Sequence, residues 1–197
     1  DLATAIASNQ LRLLYQPLIN AADQSLVGFE ALIRWHHPTR GIVSPLEFIP
    51  LAEETGLIMY LGDWVIEEAC RAASTWPEHI SVAINISARQ LVMPALPATV
   101  NAALSKYRLQ ANRLELEVTE SVFLDDSEGS LDVLKRLRAL GVGIALDDFG
   151  TGYSSLGYLN KAVFHKLKID GSFVREAANN KETVAIIQSI VQLAKSF

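Results

Sequence analysis

Four segments of this chain alternate between apolar and polar or small residues, and the alternation restricts the fold more than any other feature. In Ile80–Ser87, one face is Ile80, Val82, Ile84 and Ile86, and the other is Ser81, Ala83, Asn85 and Ser87. Leu114, Leu116 and Val118 oppose Glu115, Glu117 and Thr119, while Ile144 and Leu146 oppose Gly143, Ala145 and Asp147. In His165–Asp170, Leu167 and Ile169 oppose Lys166, Lys168 and Asp170. Successive strand side chains point to opposite faces, so each segment reads as a strand with one face for helices and one for something else. An open doubly wound sheet is covered by helices on both sides and needs both faces apolar. A closed barrel packs helices only outside, and its inner faces can carry polar groups near the C-terminal rim. The pattern predicts an α/β fold of the (β/α)8 TIM-barrel type.

The order of elements agrees. Strands are expected at Leu11–Leu18, Val27–Trp35, Ile80–Ser87, Leu114–Thr119, Gly143–Asp147 and Val163–Asp170, and helices at 45–56, 61–75, 95–107, 129–140 and 182–196. Such alternation means βαβ units and a mainly parallel sheet. The helix at 45 has Ser44 as N-cap and Pro45 at its first position, and it stops at Gly56. A complete (β/α)8 barrel takes about 250 residues. A chain of 197 residues is therefore expected to stop after about strand six and its helix, as a single domain over residues 1–197 with the C-terminal part of the barrel missing. The opening Asp1-Leu2, without a methionine, reads as a piece of a longer protein.

Composition excludes several classes. The net charge of −5 argues against DNA or general phosphate-backbone binding. One cysteine, Cys70, excludes a disulfide framework and a cysteine-rich metal site and points to a reducing compartment. No apolar run approaches the roughly 20 residues that cross a bilayer. The domain is expected in the cytoplasm, in a parent protein that a membrane anchor elsewhere could hold.

Glu30, Asn85, Glu117 and Asp147 stand nearest the C-terminal ends of four strands on the polar face, with Lys168 on a fifth. Each has a bland reading: a lone strand glutamate is usually solvated, a lone lysine is surface, and Asp148-Phe149-Gly150 is most often a turn. Asn85-Ile86-Ser87 also matches a glycosylation sequon. Coincidence outweighs these readings, because five strands place such a residue at one end of one face. Three carboxylates and an amide would repel without a cation, and an all-oxygen set suits Mg²⁺ or Mn²⁺ rather than zinc. Asp148, beside Asp147, could face a second ion, and paired ions of this kind serve phosphodiester hydrolysis.

Five ordered motifs carry a resemblance. They are Glu30-Ala31-Leu32-Ile33-Arg34-Trp35, Asn85-Ile86-Ser87-Ala88-Arg89-Gln90-Leu91, Glu115-Leu116-Glu117-Val118-Thr119-Glu120-Ser121, Asp147 through Leu156, and Lys168-Ile169-Asp170. Over essentially its whole length the chain resembles the EAL-domain phosphodiesterases that hydrolyse cyclic di-GMP. The resemblance implies a barrel whose first strand is antiparallel to the rest, and a reaction giving linear pGpG. It assigns Glu30, Asn85, Glu117, Asp147 and Asp148 to two Mg²⁺ or Mn²⁺ ions, with Glu30, Asp148 and Lys168 catalytic and Lys168 beside the attacking water. Gln16 and Arg34 match substrate contacts. Glu120 matches the anchor of the loop Asp148–Ser155, and a homodimer contact through residues 148–158 is implied, along with flanking regulatory domains. His165 and Gly171 depart mildly from the family pattern, and a further metal-facing glutamate and a substrate-contacting glutamine would lie beyond Phe197. The competing reading is a receptor that binds cyclic di-GMP with little or no turnover. A kinase-like reading of Asp148-Phe149-Gly150 fails for want of a glycine-rich loop.

Overall fold

The computed structural model describes residues 1–120, 122, 127–150 and 164–195. In chain order these form α1 (Leu2–Ala7), β1 (Leu11–Ile19), β2 (Leu26–His37), β3 (Gly41–Val43), α2 (Pro45–Thr55), α3 (Ile58–Ala73), β4 (Ser81–Asn85), α4 (Ala88–Leu91), α5 (Leu96–Tyr107), β5 (Leu114–Thr119), α6 (Ser127–Ala139), β6 (Gly143–Phe149), β7 (Lys166–Ile169), α7 (Gly171–Ala177) and α8 (Lys181–Ala194). The sheet order is β1-β2-β4-β5-β6-β7, with β3 paired to β2. β1 runs antiparallel to β2, and every pairing from β2–β4 to β6–β7 is parallel. The antiparallel first strand and the parallel run β2-β4-β5-β6-β7 are as expected; the short β3, antiparallel to β2, is an addition.

The apolar strand faces lie where the alternation places them. Val82, Ile84, Leu116, Ile144 and Leu146 join residues of α3, α5 and α6 in one core, including Ile66, Val100 and Leu134. A second cluster, Leu11, Trp35, Phe48 and Leu61, sits beneath α1 and α2. Ser44 caps α2 by accepting from the Leu46 N–H, and Gly56 ends it with φ 75°. A left-handed stop of this kind favours glycine because it has no Cβ.

Several boundaries shift by a few residues, and three further details differ from expectation. The strand expected through Ser87 ends at Asn85, because the Ser87 hydroxyl caps α4 instead of extending the ladder. The short β3 makes β2 a hairpin arm, so Glu30 is mid-strand in β2; it stands near the end of the β2–β4 pairing, which stops at Ala31↔Ile84. Helix α7 was hidden by its brevity, although Asp170 caps it by accepting from the Ser172 N–H. The expected contact segment 148–158 falls outside the described residues from position 151 onward.

Near the N-terminal end of β5, Glu115 accepts from Lys166 Nζ at 2.7 Å and lies 2.9 Å from His165 Nε2. Burial pushes this carboxyl up, but the hydrogen bonds from His165 and Lys166 outweigh it and hold the pKa below the ordinary 4.5. A carboxyl with a depressed folded pKa stabilises above its unfolded value, and that stability is lost as pH falls through the folded value. Glu115→Gln is therefore expected to flatten the acid limb of the stability curve, read as denaturation midpoints from neutral pH into the acid range. An acid limb as steep as the wild type's would refute it.

Candidate metal centre

Four strands deliver the cluster. β2 contributes Glu30, β4 Asn85, β5 Glu117 and β6 Asp147, and the pair Asn85↔Glu117 is in direct register. The β6–β7 ladder breaks at this level. Between Leu146↔Leu167 and Phe149↔Ile169, Asp147 and Asp148 stand opposite the single residue Lys168. A bulge leaves one strand with an extra residue and re-aims its side chains. Asp148 takes φ 53° there, a left-handed conformation that aspartate tolerates better than most residues.

Oxygens of Glu30, Glu117 and Asp147 lie within 4.8 Å of one another. Lys168 Nζ reaches all three, at 2.5 Å from Glu117 Oε2, 2.9 Å from Asp147 Oδ2 and 3.5 Å from Glu30 Oε2. Asn85 Nδ2 donates to Glu30 Oε1 at 3.0 Å. Burial drives the Glu117 carboxyl up; Lys168 pulls it back, Glu30 and Asp147 push it further, and it settles at about 7. Burial disfavours the Lys168 ammonium, but its carboxylate partners prevail and its pKa is raised. The Asp148 carboxyl is also raised, by burial first and then by Asp147 and Asp170.

The donor set fits a divalent cation. One ammonium among three carboxylates leaves negative charge uncompensated, and Glu117 Oε1 is buried without a hydrogen-bond partner. A buried carboxylate oxygen left in that way is costly unless something cationic meets it. Glu30, Glu117 and Asp147 with the Asn85 amide would present oxygen donors alone, which suits a hard cation.

The other expected residues fall around this cluster at different distances. Gln16 on β1 is directly opposite Glu30 in the antiparallel register. Arg34, two pleat repeats beyond Glu30 on the same strand, lines a cavity of about 720 Å³ that also touches Asn85. Asp148 is exposed and outside the group of three, its N–H donating to Asp147 Oδ1 at 2.9 Å. Glu120 accepts from the Gly150 N–H at 2.9 Å. On the other side of Gly150, whose φ is 100°, a Cβ would lie 3.0 Å from the Phe173 ring.

Sequence reasoning missed Glu53 and its pairing with Ser87, two hydrogen-bonded residues in the cavity lining. The Ser87-x-x-Gln90 spacing is a capping-box signal that could have located the turn after Asn85, but nothing local pointed to Glu53.

Fold and site together define a β/α-barrel-type domain with a carboxylate cluster at the strand ends that could hold a metal ion. The chain belongs to the EAL domain family, whose model matches residues 1–197. It is 50% identical over 196 residues to an uncharacterized signaling protein of Caulobacter vibrioides, covering 100% of this chain and 24% of that one. It is 44% identical over 200 residues to the bifunctional diguanylate cyclase/cyclic di-GMP phosphodiesterase MucR of Pseudomonas aeruginosa, covering 100% of this chain and 29% of MucR. Among solved structures, the MucR phosphodiesterase in complex with c-di-GMP matches with a TM-score of 0.93 at 44% identity, over 100% of this chain and 81% of that one. The chain thus spans about a quarter of the length of the curated relatives it matches.

Proposed function

We propose that this domain hydrolyses cyclic di-GMP to linear pGpG and so lowers the concentration of a second messenger. The observation that carries this reading is the convergence of Glu30, Glu117 and Asp147 on one point, ringed by Lys168 and Asn85, in a family whose relative MucR is named for that activity. Water adds to one of the two phosphorus atoms, the P–O3′ bond breaks, and the 3′ oxygen leaves with a proton.

Glu30, Asn85, Glu117 and Asp147 would hold Mg²⁺ or Mn²⁺, and Asp147 with Asp148 would face a second ion. When bound, such ions acidify water and offset charge on the attacked phosphate. Lys168, carrying its proton firmly among the carboxylates, holds and orients the attacking water by hydrogen bonding. Gln16 and Arg34 seat the substrate, and the planar guanidinium suits a phosphate oxygen pair. Glu120 acts at a distance, tying Gly150 and with it the backbone that carries Asp148. Regulatory domains flank this one in the longer protein, as the length of its relatives supports. Among the described residues no helix is long and apolar enough to cross a membrane.

The test is pGpG formation from cyclic di-GMP with Mg²⁺, followed by chromatography, with EDTA and Glu30→Ala as controls. Turnover that both controls abolish is expected. Tight binding of cyclic di-GMP with no product at saturating Mg²⁺ would overturn the reading in favour of a receptor.

A further inference from the structure

Among the walls of the cavity beside the carboxylate cluster, which α3 and β2 also line, are α2 and the turn by which the chain leaves β4 after Asn85. One polar contact joins them. Ser87 Oγ donates to Glu53 Oε1 at 2.6 Å, a short hydrogen bond between hydroxyl and carboxyl oxygens. The same hydroxyl oxygen accepts from the Arg89 N–H at 3.2 Å, and the Ser87 N–H donates to Gln90 Oε1 at 3.1 Å. Gln90 is itself buried, its amide packed so closely on α3 that a Cβ at Gly62 would lie 1.8 Å from Nε2. From the sheet, the Ile86 N–H donates to the Glu117 carbonyl at 2.8 Å.

The turn is therefore held from three directions: by the sheet, by α3 and, through Glu53, by α2. Asn85 at its start is exposed, and its one side-chain hydrogen bond among the described residues is to Glu30. A small rotation of the turn would swing that amide away from the cluster. Glu53 is also placed against its own helix's interest. It lies near the C-terminal end of α2, whose last turn holds no basic residue and where the helix dipole disfavours negative charge. Its hydrogen bond to Ser87 is one favourable contact at that position.

We propose that Glu53 is a positioning residue that acts through Ser87, latching α2 to the β4–α4 turn and so fixing both the Asn85 amide and the width of the cavity. The proposal rests on the reading of Asn85 as a metal ligand in a phosphodiesterase. Glu53 itself touches neither the ion nor the reacting phosphate.

The experiment compares wild type with Glu53→Ala, Glu53→Gln, Ser87→Ala and the double alanine variant of the purified protein. It measures Mn²⁺ affinity by calorimetry, kcat and KM for cyclic di-GMP, and Tm. Glu53→Ala is expected to weaken Mn²⁺ about 10-fold, the scale seen when partners of metal ligands are removed, and to raise KM with Tm near wild type. Glu53→Gln keeps an oxygen that can accept from Ser87 and is expected to recover most of that loss. If the two residues act as one unit, the double variant is no worse than Ser87→Ala alone. Unchanged Mn²⁺ affinity in Glu53→Ala, a glutamine variant no better than alanine, or additive losses would each overturn the latch. Should wild type bind Mn²⁺ without hydrolysing cyclic di-GMP, the phosphodiesterase reading falls while the Mn²⁺ comparison still decides the latch. A wild type that binds no Mn²⁺ overturns both.

Discussion

Glu117→Gln is expected to reduce kcat/KM for cyclic di-GMP by about 100-fold or more, since residues one step removed from a metal already cost 10–100-fold when lost. Glu117 is the most deeply buried member of the cluster, at 1% exposure, and its Oε2 makes the shortest contact to Lys168, at 2.5 Å. The substitution keeps the shape of the side chain and removes its charge. Stability should move the other way or not at all. Burial has already raised the Glu117 carboxyl to about 7, so its ionised form is disfavoured in the fold, and a neutral amide escapes that strain. Product chromatography, Mn²⁺ calorimetry and thermal melts on the same preparation distinguish this outcome from unfolding. A variant that loses activity only in proportion to lost folded protein would show that Glu117 is a core residue and not part of the centre.

Lys168→Met is expected to couple stability to divalent cations. Wild-type Lys168 stands among Glu30, Glu117 and Asp147, with its side chain 23% exposed and that of Glu117 fully buried. Removing one partner of a buried ion pair leaves the other charge uncompensated and typically costs about 3 kcal/mol or more. For a chain of this size, that is a fall in Tm of roughly 6–12 °C. In EDTA the variant should melt lower by that margin. With saturating Mg²⁺ most of the difference should close, because a cation bound by the same carboxylates replaces the missing ammonium. The cation dependence of Tm should thus be larger in the variant than in wild type. Turnover should fall by more than affinity for cyclic di-GMP, since the lysine's hydrogen bond to water matters most as the water attacks. Equal melting of variant and wild type in EDTA would remove Lys168 from its place as the internal counter-ion.

How much of this was legible beforehand differs from residue to residue. Glu30, Asn85, Glu117 and Asp147 could be read because strand parity is local: a residue two positions on shares its neighbour's face. The antiparallel pairing of β1 followed from the family resemblance and not from any local signal in Leu11–Ile19. The bulge that sets Asp147 and Asp148 against Lys168 was not readable, since two residues opposing one is a property of two strands together. Glu115 read as an ordinary polar-face residue, yet it is buried between His165 and Lys166, fifty or so positions away in the chain.

The order of strands and helices, the faces they bury and the kinds of side chain that meet at one end of the sheet were set by the sequence alone, because side-chain periodicity and capping act over a few residues. Only the tertiary structure decided which oxygens share a point in space, that Lys168 bonds directly to the carboxylates instead of merely standing near them, and that Glu53 reaches Ser87 at the cavity wall. Those contacts join segments 21 to 138 residues apart, and no rule of local spacing carries over such distances; they exist because strand pairing and helix packing bring distant segments side by side.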